Sequence, residues 1–249
     1  LVTLYPLMGS GKVAEVPVYP AISAAAVNEA TDLSNTAVNP TSATITASEI
    51  GVMTTLTDLG ASSASRNVGA DIGKLFGEAI AKKVDTDLCA LFSSFTTNTG
   101  GAAGTELTAD LLFKAQAQLR TLSVPAPYYG VFHPKALFNL KKTLTQAGYS
   151  GTATAISEIG NEALRNGYIG RIAGIDVFEN ANLSIDGSDD SIGGVFHPAS
   201  IGLAMKEDFK VETQRDASLR ATEIVASIVY GKAVVKESFG VAVTTDAAF

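Results

Sequence analysis

Apolar residues recur at spacings of three and four over one long stretch of this 249-residue chain. They are Val68, Ile72, Leu75, Phe76, Ile80, Val84, Leu88, Leu91, Phe92 and Phe95. This period of about 3.6 residues predicts one amphipathic helix over residues 67–95. A helix of about 28 residues is roughly 42 Å long, which is the full length of a small domain. Any fold for this chain must therefore be arranged along a single long helix.

Two further patterns accompany this helix. Lys74, Glu78 and Lys82 are spaced four apart and can form ion pairs along its polar face. A second stripe at the same spacing consists of glycine: Gly69, Gly73 and Gly77. Each glycine costs about 1 kcal/mol relative to alanine inside a helix. Either another element packs closely against the stripe, or the first turns of the helix fray.

The segment before the helix carries charge of one sign only. Between residues 13 and 65 there is no Lys or Arg, but there are five carboxylates, Glu15, Glu29, Asp32, Glu49 and Asp58. An acidic segment of this kind implies a basic surface against which it docks.

Two stretches of this segment, residues 12–19 and 43–57, have the Val, Ile and Thr content of strands. Residues 20–42 connect them with small side chains and two prolines. Because an unstructured connection of that length is uncommon inside a compact domain, we expect it either to be disordered or to rest on a surface outside its own fold.

A second region follows the glycine-rich break "NTGGAAGT" at residues 98–105. Thr108 is positioned to cap a helix that runs through Arg120. The apolar face of that helix consists of Leu111, Leu112, Ala115 and Leu119.

The remaining elements are shorter. Residues 157–165 have a weak helical pattern, and residues 167–183 are typical of a hairpin that turns at Ala173 and Gly174. The stretch "SIDGSDDSIGG" is a predicted surface loop. From residue 195 onward the chain has mostly strand composition.

The pentapeptide "GVFHP" occurs twice and contains both histidines of the chain, His133 and His197. Proline is favoured at the first position of a helix because it lacks an N–H and its φ is already suitable. The motif therefore predicts a strand, a corner and a helix start, used twice. The alternative is a metal or proton-transfer site, but two histidines without HxxxH, HxxE or CxxC nearby supply too few ligands for zinc.

Other catalytic patterns are weak. Ser150 in "GYSGT" lacks the GxSxG elbow, and "GGAAG" is neither GxGxxG nor a P-loop. The stretch "DGSDD" could coordinate calcium loosely but does not have the spacing of an EF-hand loop. Cys89 has no disulfide partner and is predicted to be a small buried residue. We expect no enzyme activity, no cofactor and no metal site.

Composition restricts the partners. With 18 basic and 25 acidic residues the net charge is −7, which argues against a protein that grips phosphate backbones. No uncharged run reaches the ~18 residues of a membrane span, so no membrane partner is expected. Only 17% of residues are charged, below the ~25% of typical soluble domains, which favours a chain that hides surface against copies of itself.

The order of these parts resembles the major capsid proteins of tailed bacteriophages with the Hong Kong 97-type fold. The resemblance covers essentially the whole chain. It comprises the acidic hairpin, the long helix, "ELTADLLFKAQAQLR" leading to "VFHPKALFNLKKT", "NGYIGRIAGIDVFENANL", and the closing "GVFHPASIGLAMKEDFKVETQRD" and "ASIVYGKAVVKESFGVAV". It rests on the order and spacing of these motifs, because none alone is specific.

The resemblance implies an α+β fold with three parts. These are an N-terminal segment with an extended β-hairpin loop (1–60), a peripheral domain with the long spine helix (61–103 and 231–249) and an axial domain (104–230). It implies a protein that self-assembles through hexamers and pentamers into an icosahedral shell, in the host bacterial cytoplasm, around double-stranded DNA bound without sequence specificity. A portal and a scaffold are further expected partners.

The resemblance also implies contacts between copies. Carboxylates of the extended loop, Glu29 and Asp32, are expected to approach cations on or beside a neighbour's spine helix. Those cations are Arg66, Lys74, Lys82 and Lys83. The namesake of the family crosslinks a loop lysine to a neighbour's asparagine, whereas this loop has no lysine between residues 13 and 65. Reinforcement is therefore expected to be noncovalent, with a cement protein as a candidate.

Two other classes of protein stay open at this point. Encapsulins share the fold and enclose enzymes rather than DNA. An enzyme would have to rest on His133 and His197.

Overall fold

The computed structural model describes residues 1–7, 11–24, 26–29, 32, 35–63, 68–149 and 170–248, with the backbone alone for 145–149. The strands are β1 (Thr3–Pro6), β2 (Val13–Val18), β3 (Thr41–Thr46), β4 (Ser48–Thr57), β5 (Thr99–Gly101), β6 (Tyr128–Phe132), β7 (Arg171–Ile172), β8 (Ile175–Glu179), β9 (Asp190–Phe196), β10 (Ile201–Asp216), β11 (Ala221–Val234) and β12 (Gly240–Asp246). The helices are α1 (Asp58–Ser63), α2 (Val68–Cys89), α3 (Ala109–Thr121) and α4 (Pro134–Tyr149). The fold is α+β, as predicted.

The predicted long helix is α2, which continues into a 3-10 helix over Ala90–Ser94. The apolar residues of α2 and of the segment that follows it lie in two different cores. Phe76 and Ile80 are buried against one sheet, whereas Phe92 and Phe95 are buried against another. The helix is long because it spans both.

The first of these sheets has four strands in the order β1-β10-β11-β4. Strand β1 is parallel to β10, and the other two pairs are antiparallel. Alternate residues of β11, including Ile224, Ala226 and Ile228, pack against α2, because residues two apart point to the same face of a sheet. The predicted strand content after residue 195 is confirmed, and β10 is a single strand of 16 residues.

The second sheet has six strands in the order β5-β12-β9-β6-β8-β7. Helices α3 and α4 cover one face through residues such as Leu112 and Leu137. The other face packs through Val131 and Phe196 on the end of α2 and the 3-10 helix that follows it. This part of the chain therefore has three layers.

Local predictions in this region are confirmed. The side-chain oxygen of Thr108 accepts a hydrogen bond from the Leu111 N–H and caps α3. Strands β7 and β8 form a hairpin whose two turn residues, Ala173 and Gly174, both have positive φ (52° and 71°), as a type I′ turn requires. The weak helix predicted at 157–165 lies outside the described residues.

Strands β2 and β3 form a separate antiparallel hairpin, in which Val13 pairs with Thr46 and Val18 with Thr41. We call residues 13–46 the arm. The strand content predicted over residues 43–57 is confirmed, but the stretch is divided at Ala47 into two strands: β3 pairs with β2, and β4 pairs with β11. The described residues between β2 and β3 are exposed and contain no helix or strand.

The sheets group the chain differently from the predicted domain boundaries. Strands β10 and β11, most of which lie in the predicted axial segment, pair with β4 and pack on α2. Strand β12, from the predicted peripheral segment, pairs with β9 and β5. The boundaries themselves stay a prediction. No helix in the described ranges is long and apolar enough to span a membrane.

Candidate inter-subunit surface

The two copies of "GVFHP" serve the same local purpose. The first ends β6 and begins α4, and His133 Nδ1 accepts a hydrogen bond of 3.2 Å from the Lys135 N–H. The second ends β9 and begins a 3-10 helix, and His197 Nδ1 accepts one of 3.1 Å from the Ala199 N–H. Burial lowers the pKa of both imidazoles, and the neutral ring keeps a lone pair for this bond. The predicted repeated helix start is confirmed.

The strand register holds the two histidines apart. Tyr129 on β6 pairs with Phe196 on antiparallel β9, so His133 and His197 follow opposite ends of this ladder. Five residues of strand separate them along it, roughly 17 Å. In the described part of the chain, no group of three or more His, Cys, Asp and Glu side chains could hold a metal ion.

The carboxylates of "DGSDD" bind the main chain. Asp186 Oδ1 accepts hydrogen bonds from the N–H groups of Ser188 and Asp190 at 2.8 and 2.9 Å. Asp190 Oδ1 accepts one from the Gly104 N–H at 2.7 Å. These hydrogen bonds give the two carboxylates a structural role in shaping the loop.

Cys89 is buried, as predicted. Burial, with a smaller contribution from the Asp85 carboxylate, raises the pKa of its thiol to about 11. The amides of Asn180 and Asn182 donate to Asp85 Oδ2 at 2.9 and 3.1 Å. This part of α2 is therefore tied to the segment after β8, and the thiol has a packing role.

Four of the five predicted carboxylates of the acidic segment are exposed: Glu15, Glu29, Asp32 and Glu49. No salt bridge between described residues uses any of them. Asp58 differs, because the Arg215 guanidinium donates to both of its oxygens at 2.5 and 2.7 Å. These bonds lower the pKa of Asp58. Within the described part of the chain, four of the five carboxylates therefore form no salt bridge.

The predicted cations are not equivalent. Lys74 and Lys82 are exposed on α2, and no salt bridge among the described residues involves either. Lys83 is already paired with Asp87 at 2.9 Å. Arg66 lies outside the described residues. Contact of Lys74 or Lys82 with the arm of another copy stays a prediction.

The ion pairs predicted along α2 are wrong. Neither Lys74 nor Lys82 pairs with Glu78, and the helix pair that forms is Lys83 with Asp87. The same spacing of four residues could have indicated it. Helix α2 contains three lysines and four carboxylates, so it presents positive charge only locally.

Asp87 is a junction that the sequence did not reveal. Its Oδ1 accepts from Lys232 Nζ at 2.8 Å and its Oδ2 from the Tyr230 hydroxyl at 2.9 Å, in addition to the bond from Lys83. Burial acts to raise the pKa of Asp87, but these hydrogen bonds outweigh it and lower the pKa to about 2. The carboxylate thus joins α2 to β11.

Two glycines of the stripe, Gly73 and Gly77, have no close neighbour among the described residues outside their own helix. A β-carbon at Gly73 or Gly77 would meet no atom within 4 Å. The close packing predicted for these two glycines is therefore not made by any described residue of the same copy. Leu75 on the same helix is 61% exposed, so this part of α2 is open.

Three comparisons place the chain among known proteins. Residues 66–244 match the model of a family described as phage capsid protein. No curated protein matches. The head structure of Helicobacter pylori bacteriophage KHP40 has a TM-score of 0.78 at 12% identity, covering 99% of this chain and 88% of that chain.

Two more solved structures extend the comparison. The structure of Mycobacterium phage Che8 has a TM-score of 0.74 at 23% identity, covering 94% and 85% of the two chains. The encapsulin complex of Synechococcus elongatus has a TM-score of 0.67 at 10% identity, covering 100% and 87%. At such identities these likenesses establish a shared fold.

Proposed function

The chain belongs to the phage capsid protein family and has the Hong Kong 97-type capsid fold, and from this premise we propose how it assembles. It is a structural major capsid protein and a component of the virion capsid. We propose that its copies form hexamers and pentamers that close into an icosahedral shell around double-stranded DNA, in the host bacterial cytoplasm.

The observation that supports this proposal is that the arm exposes apolar side chains to solvent. The described residues between β2 and β3 are exposed, and they include apolar side chains such as Tyr19 and Ile22, which are 63% and 61% exposed. A segment with exposed apolar side chains and no core of its own gains stability only from another surface. The surface we propose is that of a second copy, because a closed shell offers each arm an identical neighbour.

Charge supplies a specific contact within this proposal. Glu29 and Asp32 are exposed on the arm, and Lys74 and Lys82 are exposed on α2. Opposite charges that meet across an interface set its register more than its strength. We propose that these carboxylates approach these lysines between copies, with Arg66 as a further candidate cation and Lys83 available only if it leaves Asp87.

The division into an arm, a peripheral domain and an axial domain is also a proposal. The sheets support a division in which α2 with β1, β4, β10 and β11 forms the peripheral domain. The six-stranded sheet with α3 and α4 then forms the axial domain.

Several finer parts of the function follow from this role. The protein acts by binding rather than by catalysis. Its net charge of −7 suits a container, because a lining that held phosphates tightly would hinder DNA packing and release. A portal, a scaffold and a cement protein are proposed partners. The cement protein follows from the absence of lysine between residues 13 and 65.

The deciding experiment replaces residues 19–40 with Asn-Gly, a two-residue hairpin turn that keeps β2 paired with β3. The shortened chain should fold with an unchanged thermal midpoint and fail to form shells under electron microscopy. Normal shells from it would overturn the proposed role of the arm. Nucleic acid inside shells isolated from the natural source supports a phage capsid, whereas a protein cargo would support the encapsulin alternative, which has the lower TM-score.

A further inference from the structure

The root of the arm, where β3 meets β4, contains two buried residues, whereas the described residues between β2 and β3 are exposed. Ile45 is fully buried and Ala47 is 3% exposed, whereas the neighbouring Thr44 and Thr46 are exposed. Ala47 is also the one residue between β3, which belongs to the arm, and β4, which belongs to the four-stranded sheet. The direction in which the arm leaves the body is therefore decided at these residues.

Two glycines make room for this root. A β-carbon at Gly202 on β10 would lie 2.7 Å from Ile45 Cδ1, 2.9 Å from Val235 Cγ2 and 3.0 Å from Tyr5 Cε2. A β-carbon at Gly231 on β11 would lie 2.5 Å from the carbonyl oxygen of Thr46. Non-bonded carbon atoms normally stand about 3.5–4.0 Å apart, so neither site accepts a methyl group without movement of its neighbours: side chains at Gly202, and the backbone at the root of the arm at Gly231.

Hydrogen bonds complete the attachment on the other strand. The Ala47 N–H donates to the Lys12 carbonyl at 2.7 Å. Lys206 Nζ on β10 donates to the Gly11 carbonyl, also at 2.7 Å. Hydrogen bonds thus join the two chain segments at the base of the hairpin to each other, and one of them attaches that base to β10.

We infer that Ile45, Gly202 and Gly231 form a socket that sets the angle of the arm, which makes them positioning residues for assembly. This inference rests on the proposed function, because an arm that reaches a neighbour must leave the body in one direction. An arm with a loose root would lose part of its binding free energy to ordering when it docked. The socket removes that cost before assembly.

The test uses the different neighbours of the two glycines. Gly202→Ala should displace the root, and adding Ile45→Val should restore it in part, because valine lacks the Cδ1 atom that is nearest to the new methyl group. Gly231→Ala should displace the root without rescue by Ile45→Val, because its neighbour is a backbone atom. Gly187→Ala, in the exposed loop before β9, is the control, since a β-carbon there meets nothing within 4 Å.

Arm direction is read in the unassembled chain from the distance distribution between spin labels at Thr41→Cys on the arm and Lys114→Cys on α3. The wild type and the Gly187→Ala control should give the same narrow distribution, and Gly202→Ala and Gly231→Ala should shift or broaden it. Adding Ile45→Val should narrow the distance distribution of Gly202→Ala but not that of Gly231→Ala. The yield of shells should be high in the variants with a narrow distribution and low in those with a shifted or broad one.

A broad wild-type distribution, or an unchanged one in Gly231→Ala, would overturn the socket. If the distances behave as expected but the wild type forms no shells, the socket stands and the proposed function fails. A thermal melting curve identifies any variant that does not fold. If Gly231→Ala does not fold, the comparison of Gly202→Ala with the double variant Gly202→Ala, Ile45→Val decides whether the socket exists.

Discussion

The Tyr230 hydroxyl on β11 donates a hydrogen bond of 2.9 Å to Asp87 on α2. The same carboxylate accepts from Lys232 and Lys83, and its side chain is only 16% exposed. Removing it would leave two cations and a half-buried hydroxyl without their acceptor. Asp87 is therefore the polar link between the long helix and the sheet beneath it.

We expect Asp87→Ala to lower the free energy of unfolding by about 2 kcal/mol, since hydrogen bonds to charged groups are each worth about 1.5–3 kcal/mol. Urea denaturation followed by circular dichroism measures this. Glu78→Ala removes an exposed carboxylate from the same helix and should change stability by less than about 0.5 kcal/mol. Equal effects in the two variants would show that the link contributes nothing.

The contribution of Asp87 to stability should be lost only at strongly acidic pH. The pKa of Asp87 is lowered from 3.8 to about 2, so its contribution is fully present above the pKa of the unfolded chain and is lost as pH falls through the folded value. The stability difference between wild type and Asp87→Asn should therefore be constant above about pH 5 and shrink between about pH 4 and pH 2. Thermal midpoints across this range measure it, and a difference that already vanishes near neutral pH would contradict the assignment.

His133→Asn should be tolerated, because asparagine also accepts the N–H bond at a helix N-cap. His133→Ala should cost about 1 kcal/mol, since the backbone N–H then loses its partner. Chemical denaturation of the two variants separates them. If asparagine is as damaging as alanine, the ring has a role other than capping.

The double variant Glu29→Lys, Asp32→Lys should assemble poorly, and Lys74→Glu, Lys82→Glu in the same chain should restore assembly. An exposed pair is worth only about 0–1 kcal/mol, but a shell repeats it in every copy. Raised salt should weaken wild-type assembly because it screens exposed charges. The control is Glu207→Lys, Asp208→Lys, which makes the same change of charge on β10. Identical shell yields from the two charge variants would mean that apolar and backbone contacts hold the arm.

Cys89 should resist maleimide in the folded chain at neutral pH, because it is buried and the pKa of its thiol is raised to about 11. The thiolate is the reactive form. Labelling should become complete in urea, and an engineered Lys114→Cys should label in the folded chain. Mass spectrometry counts the adducts, and rapid labelling of native Cys89 would contradict its burial.

Short-range features of the fold could be predicted from the residues. The long helix, the Thr108 cap, the turn at Ala173 and Gly174 and the two histidine caps each depend on groups within about one helical turn of each other. The spacing of side chains therefore contains the information. The resemblance to capsid proteins added the arrangement of these parts.

Long-range features could not be predicted in this way. Strand composition over residues 43–57 does not reveal that the chain changes partner at Ala47, because β2 and β11 are both acceptable neighbours for such a strand. The pairing of Asp58 with Arg215 and of Asp87 with Lys232 joins residues far apart in the chain, so no local period marks them.

The sequence by itself determined the long helix, the helix starts, the strand composition of the longer strands and the excess of negative charge, because these depend on side-chain chemistry and on neighbours close along the chain. Only the tertiary structure decided which carboxylates remain free, which lysine is already paired and where the arm is held. Those outcomes depend on strand register and on close approaches such as Ile45 to Gly202, and such contacts exist only once distant segments have packed together.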